Sequence, residues 1–467
     1  MKTGLTETTE RLGSAPLWRL IISLSLPGMA SMITTSLYNI INTLWLSRLG
    51  YEAIAALTVA MPFHILAVAI GAGTGVGANA LASRRFGEGN IEATNHVAGQ
   101  VFPTAGLFGG VYLIVAVFFT DTILILCGAT PDIMDYGRQY LVVISFGGPF
   151  LFFTLIASNL LRGSGDALRP MIFTISGVVT NAILDPFLIF GIGPFPEMGV
   201  RGAALATVIS QLLSAGLSFY YIVARRSAYR IKFRHLKLSL PILRDIYRVG
   251  IPAMLMEVGE SVCFVLLTNV LSAFGSVAIA AVGIVFRIID LAFMPIFGVS
   301  QALLPIVGFN FGARLWSRVW RAVKLASLGL VLLMGVAMVV LEILTPQLIG
   351  IFSDDPELVA IGTPAMRIGM STLFIWGPMV LFATTFQGLS KGKEALILSL
   401  VRQFIIFVPL LYLFSWWWGL YGVWISWPVS DVLAFLVSGL WLFREYKLQQ
   451  RSGIWSGAPA SKSGPGD

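Results

Sequence analysis

Residues 54–80 read IAALTVAMPFHILAVAIGAGTGVGANA, a run without one charged side chain. A bilayer core of about 30 Å takes about 20 apolar residues of α-helix, so this stretch is long enough to cross it. A barrel strand is short and alternates in polarity, and this run does neither. Its glycines and its proline suit a helix bundle, where neighbouring helices satisfy freed backbone groups. Working outward, eleven further segments have the same character: 18–47, 95–120, 136–161, 170–192, 200–224, 244–272, 279–308, 322–346, 363–388, 395–416 and 421–443. The sequence therefore predicts an all-α polytopic membrane protein with twelve transmembrane helices.

Composition agrees. Only 12% of the 467 residues are charged, about half the roughly 25% of soluble domains. The apolar set makes up 57%, and mean hydropathy is +0.84. Such a chain cannot cover a water-facing surface, and it is neither a disordered chain, a coiled coil nor a disulfide scaffold. Cys127 and Cys263 read as small buried hydrophobes. The first 17 residues are polar and no small-residue cleavage site follows a short apolar core, so the first span is expected to be retained.

Placing both termini in the cytoplasm collects most of the 31 basic residues on that side, as positive-inside insertion does. The opposite loops carry Asp121, Asp132, Asp354, Asp355 and Glu357. The expected location is the plasma (cell inner) membrane. Arg225, Arg226, Arg230, Lys232, Arg234, Lys237, Arg244 and Arg248 crowd the central linker. No aromatic stacking platform or recognition motif accompanies them, so nucleic acid is not the expected partner. Anionic membrane lipids are.

The linker divides the chain into halves of six spans. A shift of 225 residues aligns them without a gap from 27 to 87: Pro27 meets Pro252, Ser36 meets Ser261, Gly50 meets Gly275, Ala53-Ile54-Ala55-Ala56 meets Ala278-Ile279-Ala280-Ala281, Gly73 meets Gly298 and Phe86-Gly87 meets Phe311-Gly312. Pro131 and Pro356, and Gly163 and Gly388, keep the same offset. An even number of spans per half starts both repeats on one side, which makes them parallel repeats about an axis along the membrane normal. The expected organisation is a cytoplasmic segment 1–17, an N-terminal lobe 18–224, a basic linker 225–243, a C-terminal lobe 244–443 and a cytoplasmic tail 444–467. Two such lobes enclose a central cleft, an arrangement that points to transport.

Charged groups within spans cost about 2.5–3.5 kcal/mol each on insertion scales, so each needs a reason. Asn181 and Asp185 are four apart and share a helix face. Pro186 removes an amide donor and frees a carbonyl one turn earlier. Amide, carboxylate and carbonyl oxygens suit Na⁺, and a carboxyl group held from water can instead carry a proton; a hydrogen bond that only stiffens the bundle is the alternative. Glu257 and Glu260, three apart on one helix, are candidates for coupling or for binding a cationic substrate. Arg287 and Asp290, with the same spacing, are further candidates for coupling or substrate binding, and a structural pair that they form with each other is the alternative. Asp431 stays open between function and a paired structural role. His64 has no second ligand at metal spacing and reads as a packed histidine, so no metal centre is expected. Pro27 and Pro252, each inside the first span of its half, permit bends that are either static or change with state.

The runs Tyr38-Asn39-Ile-Ile-Asn42-Thr43-Leu-Trp-Leu-Ser-Arg-Leu-Gly50, Asn181…Asp185-Pro186, Gly202-Ala-Ala-Leu-Ala-Thr207, Gly298-Val-Ser-Gln301-Ala-Leu-Leu-Pro305, Gly308-Phe-Asn310-Phe-Gly312, Gln387-Gly-Leu-Ser-Lys391-Gly392-Lys393 and Arg402-Gln403 resemble the multidrug and toxic compound extrusion (MATE) family, and most of all its DinF-type branch. The resemblance covers roughly 18–445. It implies an antiporter that exports organic, often cationic, amphipathic compounds by alternating access, with H⁺ or Na⁺ as coupling ion and no cofactor. It also implies a cation site at Asp185, Asn181 and Thr207. The first-span acid of that site is Asn42 here, which can offer an oxygen but cannot titrate. Glu260 matches a seventh-span acid of other branches, and Pro27 the bending proline. Met32, Tyr38, Met256 and Phe286 are candidates for a re-packable substrate cleft. A flippase for lipid-linked sugars is the alternative. No His-Asp pair or Gly-rich phosphate loop suggests an enzyme, and a monomer working on small organic substrates is expected.

Overall fold

The computed structural model describes residues 4–352 and 355–451, and all regular structure among them is helical. Asp354, the residues before Gly4 and the tail beyond Arg451 lie outside the described residues. The α-helices of the first half are α1 Gly4–Ser14, α2 Leu17–Leu46, α3 Tyr51–Gly87, α4 Ile91–Phe118, α5 Thr120–Leu126, α6 Pro131–Ser145, α7 Gly148–Gly163, α8 Leu168–Phe190 and α9 Val200–Val223. Those of the second are α10 Leu240–Ser272, α11 Ser276–Gly312, α12 Trp316–Gly350, α13 Pro356–Met370, α14 Leu373–Gly388, α15 Gly392–Leu400 and α16 Val408–Arg451. A π-helical stretch, Val401–Phe407, joins the last two.

Among the described residues, nine helical stretches are long and apolar enough to cross a membrane. The pairs α6 with α7 and α13 with α14 each do so together across a bend of 52°. One of the nine, Gly392–Gln450, contains Gly419 at φ 58° and ψ −137°, outside helical geometry. Dividing it there gives the twelve spans. The sequence predicts unbroken spans at 136–161 and 363–388, and the structure bends both: α6 ends at Ser145 and α13 at Met370. In the first break Pro149 supplies no amide donor, and Gly109 of α4 lies so close to the Pro149 backbone that a Cβ there would collide.

The 225-residue offset reaches beyond the identities. It carries the bounds of α3 onto α11, α6 onto α13 and α7 onto α14. The third span is the exception. It breaks at Phe119 in the first half and runs unbroken through α12 in the second.

Where the halves meet, contacts come in exchanged pairs. A Cβ on Gly298 would strike Met29, and one on Gly73 would strike Met254. Likewise Gly87 lies against the Phe309 carbonyl, and Gly312 against that of Arg84. Each contact becomes its partner on adding or subtracting 225, as an axis between the halves requires. These close approaches lie on the half of the bundle that carries the termini and the linker. There α1 also bridges the two halves: Thr9 donates to the Ser164 carbonyl at 3.1 Å, and Asn310 donates to the Leu12 carbonyl at 2.9 Å. Leu12 is fully buried in the larger apolar core, built mainly from the second half. Pro27 and Pro252 are buried, and α2 and α10 run through them without a break.

Candidate functional site

Helix register assembles the first-half site. Leu46, Ile189 and Ala203 pack together in a small apolar cluster near the ends of α2 and α8 and the start of α9. One turn deeper on each helix come Asn42, Asp185 and Thr207, so the packing above sets these three polar side chains at one level. Asp185 is fully buried and Asn181 is 2% exposed. Asn181 Nδ2 donates to Thr207 Oγ1 at 3.4 Å, and Thr207 donates to the Ala203 carbonyl at 3.0 Å. Both Asp185 oxygens, Asn181 Oδ1 and Asn42 Oδ1 are buried and accept no hydrogen bond from the described residues. Tyr38, one turn before Asn42, and Tyr140 both lie within electrostatic reach of Asp185. Buried acceptors are normally paired, so a cluster of unpaired oxygens marks a place for a cation or a proton.

The second half handles its buried acid differently. Asp431, on α16, is 2% exposed and well supplied. Thr372 donates to Oδ2 at 3.0 Å, Trp376 Nε1 donates to the same oxygen, and Arg402 Nη2 lies 3.4 Å from Oδ1. Asp431 therefore has the paired role that the sequence left open. Glu260 feels the same guanidinium, while Gln403 Oε1 is buried and unpartnered where Gly259 passes it. Glu257 and Glu260 share the exposed face of α10. Arg287 and Asp290, which their spacing would let pair, are both exposed, and no ion pair joins them among the described residues.

Three of the proposed cleft residues have defined surroundings. Gln387 Nε2 lies 3.8 Å from Met256 Sδ. Phe286 meets Phe264 edge-on at 5.1 Å and Trp427 at 5.8 Å. Tyr38 belongs to the Asp185 site, and Met32 is half-buried on the same helix. Thus the sequence-based candidates separate into one compact group around Asp185 and a looser second-half wall.

The sequence profile of the MatE family matches residues 27–187 and again residues 252–413, which together are most of the chain. The chain belongs to the MatE family. The two matches begin 225 residues apart, so family and internal repeat coincide. The chain is 27% identical over 417 residues to the multidrug export protein MepA of Staphylococcus saprophyticus, spanning 89% of this chain and 91% of that one. Its fold is similar to a multidrug resistance MATE family transporter of the MOP superfamily in the outward-facing conformation, with TM-score 0.89, 27% identity and coverage of 97% and 99%. It is also similar to a MOP superfamily transporter from Pyrococcus furiosus, described as having reversed pocket polarity and a suggested different function. There the TM-score is 0.87, identity 27% and coverage 95% and 98%.

Sequence reasoning missed two features of this MatE protein. One is Arg402, which appeared only as part of a family-like run. Its partner Asp431 lies on another helix, and no spacing rule links them. The other is a set of contacts that fasten the linker to α4. Gln100 Nε2 donates to the His235 and Lys237 carbonyls at 3.1 and 2.9 Å, and the Arg230 amide donates to Asn95 Oδ1 at 2.7 Å. Glu92, His96 and His235 also bring possible metal-ligand atoms within 4.8 Å of one another. His235 Nδ1 accepts the Lys232 amide at 3.1 Å, which leaves the proton on Nε2, facing Glu92 Oε1 at 2.8 Å. Arg234 donates to that oxygen too. Hydrogen bonds thus tie His235 and Arg234 of the linker to Glu92 of α4, while His96 Nε2 stands 3.6 Å from the same carboxylate oxygen.

Proposed function

We infer that the protein is a cation-coupled exporter of organic, often cationic, amphipathic compounds, working by alternating access with its basic end in the cytoplasm. One observation carries this reading: a fully buried carboxylate, Asp185, accepts no hydrogen bond from the described residues, and Asn181 Oδ1 on its own helix and Asn42 Oδ1 on α2 are unpaired as well. A carboxylate in such surroundings calls for a partner of positive charge, either a bound proton or Na⁺. Asn181, Asn42 and Thr207 add neutral oxygens of the kind that a hard cation prefers. The titratable proton resides on Asp185 alone, because Asn42 cannot carry one.

In this reading the coupling ion binds one state more tightly than the other and so shifts their balance. Loading at Asp185 draws α2 and α8 together through Asn42 and Asn181 and favours substrate release on the open side. Substrate entering from the cytoplasm favours the return. The multidrug export protein among its relatives supports the export direction and the breadth of substrate. The buried prolines of α2 and α10 give each half a helix with one missing backbone bond near the seam. The decisive experiment is dye efflux from proteoliposomes under separately imposed Na⁺ and H⁺ gradients. Efflux driven by at least one gradient, and lost in Asp185→Asn, is expected. Efflux that persists in Asp185→Asn sinks the assignment of this site.

A further inference from the structure

A groove of about 540 Å³ lies on the outer face of the second half, between α12 and α16, at the end that carries the termini. Both helices pack on α14, whose Phe382 forms the floor. Ser317, Trp320, Arg321, Lys324 and Ser327 line the α12 side. Their spacing of three and four residues places them in one stripe. Gly439 opens the α16 side, since a Cβ there would meet only Phe382 at 3.8 Å. Above the groove, α12 continues as exposed apolar surface, with Leu328, Leu332, Leu333 and Val336 all 48–65% exposed. Such a surface belongs against acyl chains.

The two ends of the groove differ in chemistry. Arg321 and Lys324 are exposed at its mouth, and no ion pair engages either one among the described residues. The nearest acid along α16, Glu445, is already held by Lys391 and Gln449, each at 2.7 Å. Trp320 Nε1, beside Arg321, and Ser327 Oγ, deeper along α12, are buried without a hydrogen-bond partner. Trp320 stands edge-on to Tyr446 at 5.3 Å, an aromatic pair of the kind found at the level of head groups. An occupant must therefore bring negative charge at the mouth, acceptor oxygens below it and hydrocarbon beyond.

We propose that this groove is a binding site for one anionic glycerophospholipid of the leaflet at the basic end of the bundle. The phosphate lies between Arg321 and Lys324. A head-group oxygen accepts from Trp320 and a glycerol ester oxygen from Ser327, and an acyl chain runs over Gly439 and Phe382 onto the apolar face of α12. The site stands apart from Asp185 and does not depend on the coupling reaction.

Native mass spectrometry of the full-length protein, released from detergent containing equal phosphatidylglycerol and phosphatidylcholine, tests this directly. Two basic contacts predict about a thirtyfold preference for the anionic lipid at low salt. The double variant Arg321→Gln/Lys324→Gln should retain the two lipids equally. Gly439→Leu, which fills the groove but keeps the charges, should lose the retained lipid. Equal retention of both lipids by the unaltered protein overturns the proposal, as does an undiminished preference in either variant. Because lipid retention is read without transport, a failure here is distinct from a failure at Asp185.

Discussion

Asp185 and Asp431 are both buried carboxylates within the bundle, yet their surroundings make them opposites. Asp431 has a guanidinium, an indole and a hydroxyl to satisfy it; Asp185 has no donor at all. The first is held in place by its donors, and in the proposed function the second gains and loses a partner. Removing the partner of a buried charge costs about 3–5 kcal/mol, so Arg402→Ala should lower the unfolding temperature by several degrees in thermal denaturation. Arg402→Ala combined with Asp431→Leu should recover much of that loss. Asp185→Asn should leave the unfolding temperature nearly unchanged and abolish gradient-driven efflux. Asn42→Asp adds a second titratable group at the level of the first. It should shift efflux towards dependence on the H⁺ gradient, read as a larger ratio of H⁺-driven to Na⁺-driven rates. The residues Asn181 and Asp185 were legible because they share one helix face. Asn42 and Thr207 were legible only through family resemblance, since three helices must pack before they meet.

At the scale of the element, helices are shaped here by where backbones must approach. Gly87 and Gly312 admit the carbonyl oxygens of the opposite half, and a side chain at either place would push α3 and α11 apart. Gly312→Leu should reduce efflux at least tenfold while the protein still inserts, as followed by proteoliposome assay and membrane yield. Gly110→Leu is the matched control, because nothing lies within 4 Å of a Cβ there; its efflux should be unchanged. Element existence was legible from uncharged apolar runs, and the offset of 225 was legible from paired glycines and prolines. The bends after Ser145 and Met370 were not. A bilayer-length apolar run reads the same whether straight or broken, and only the packing of α4 on Pro149 reveals the break. The π-helical stretch that carries Arg402 was equally silent, because its sequence has no distinct period.

For the whole molecule, the close glycine contacts between the halves lie near the terminus-bearing end. Ser83 and Gly308 mark that seam, with Ser83 Cβ 3.2 Å from a Cβ built at Gly308. Disulfide geometry needs about 3.5–4.5 Å between Cβ atoms, within reach of a small shift. In a background lacking Cys127 and Cys263, the pair Ser83→Cys and Gly308→Cys should cross-link under oxidation. Efflux should stop when it does and return on reduction, as alternating access requires. Twelve spans in two related halves were readable from the chain. Where the halves touch was not, because those contacts join residues far apart in the chain.

The exchanged glycine contacts also bear on leakage. An exporter that rocks must never let protons or water slip through while it waits, or the gradient drains without work. Where Gly87 and Gly312 meet backbone carbonyls, backbone lies against backbone and no side chain has to settle into place. Enlarging either glycine would be felt first as a resting permeability, before any change in what the protein carries.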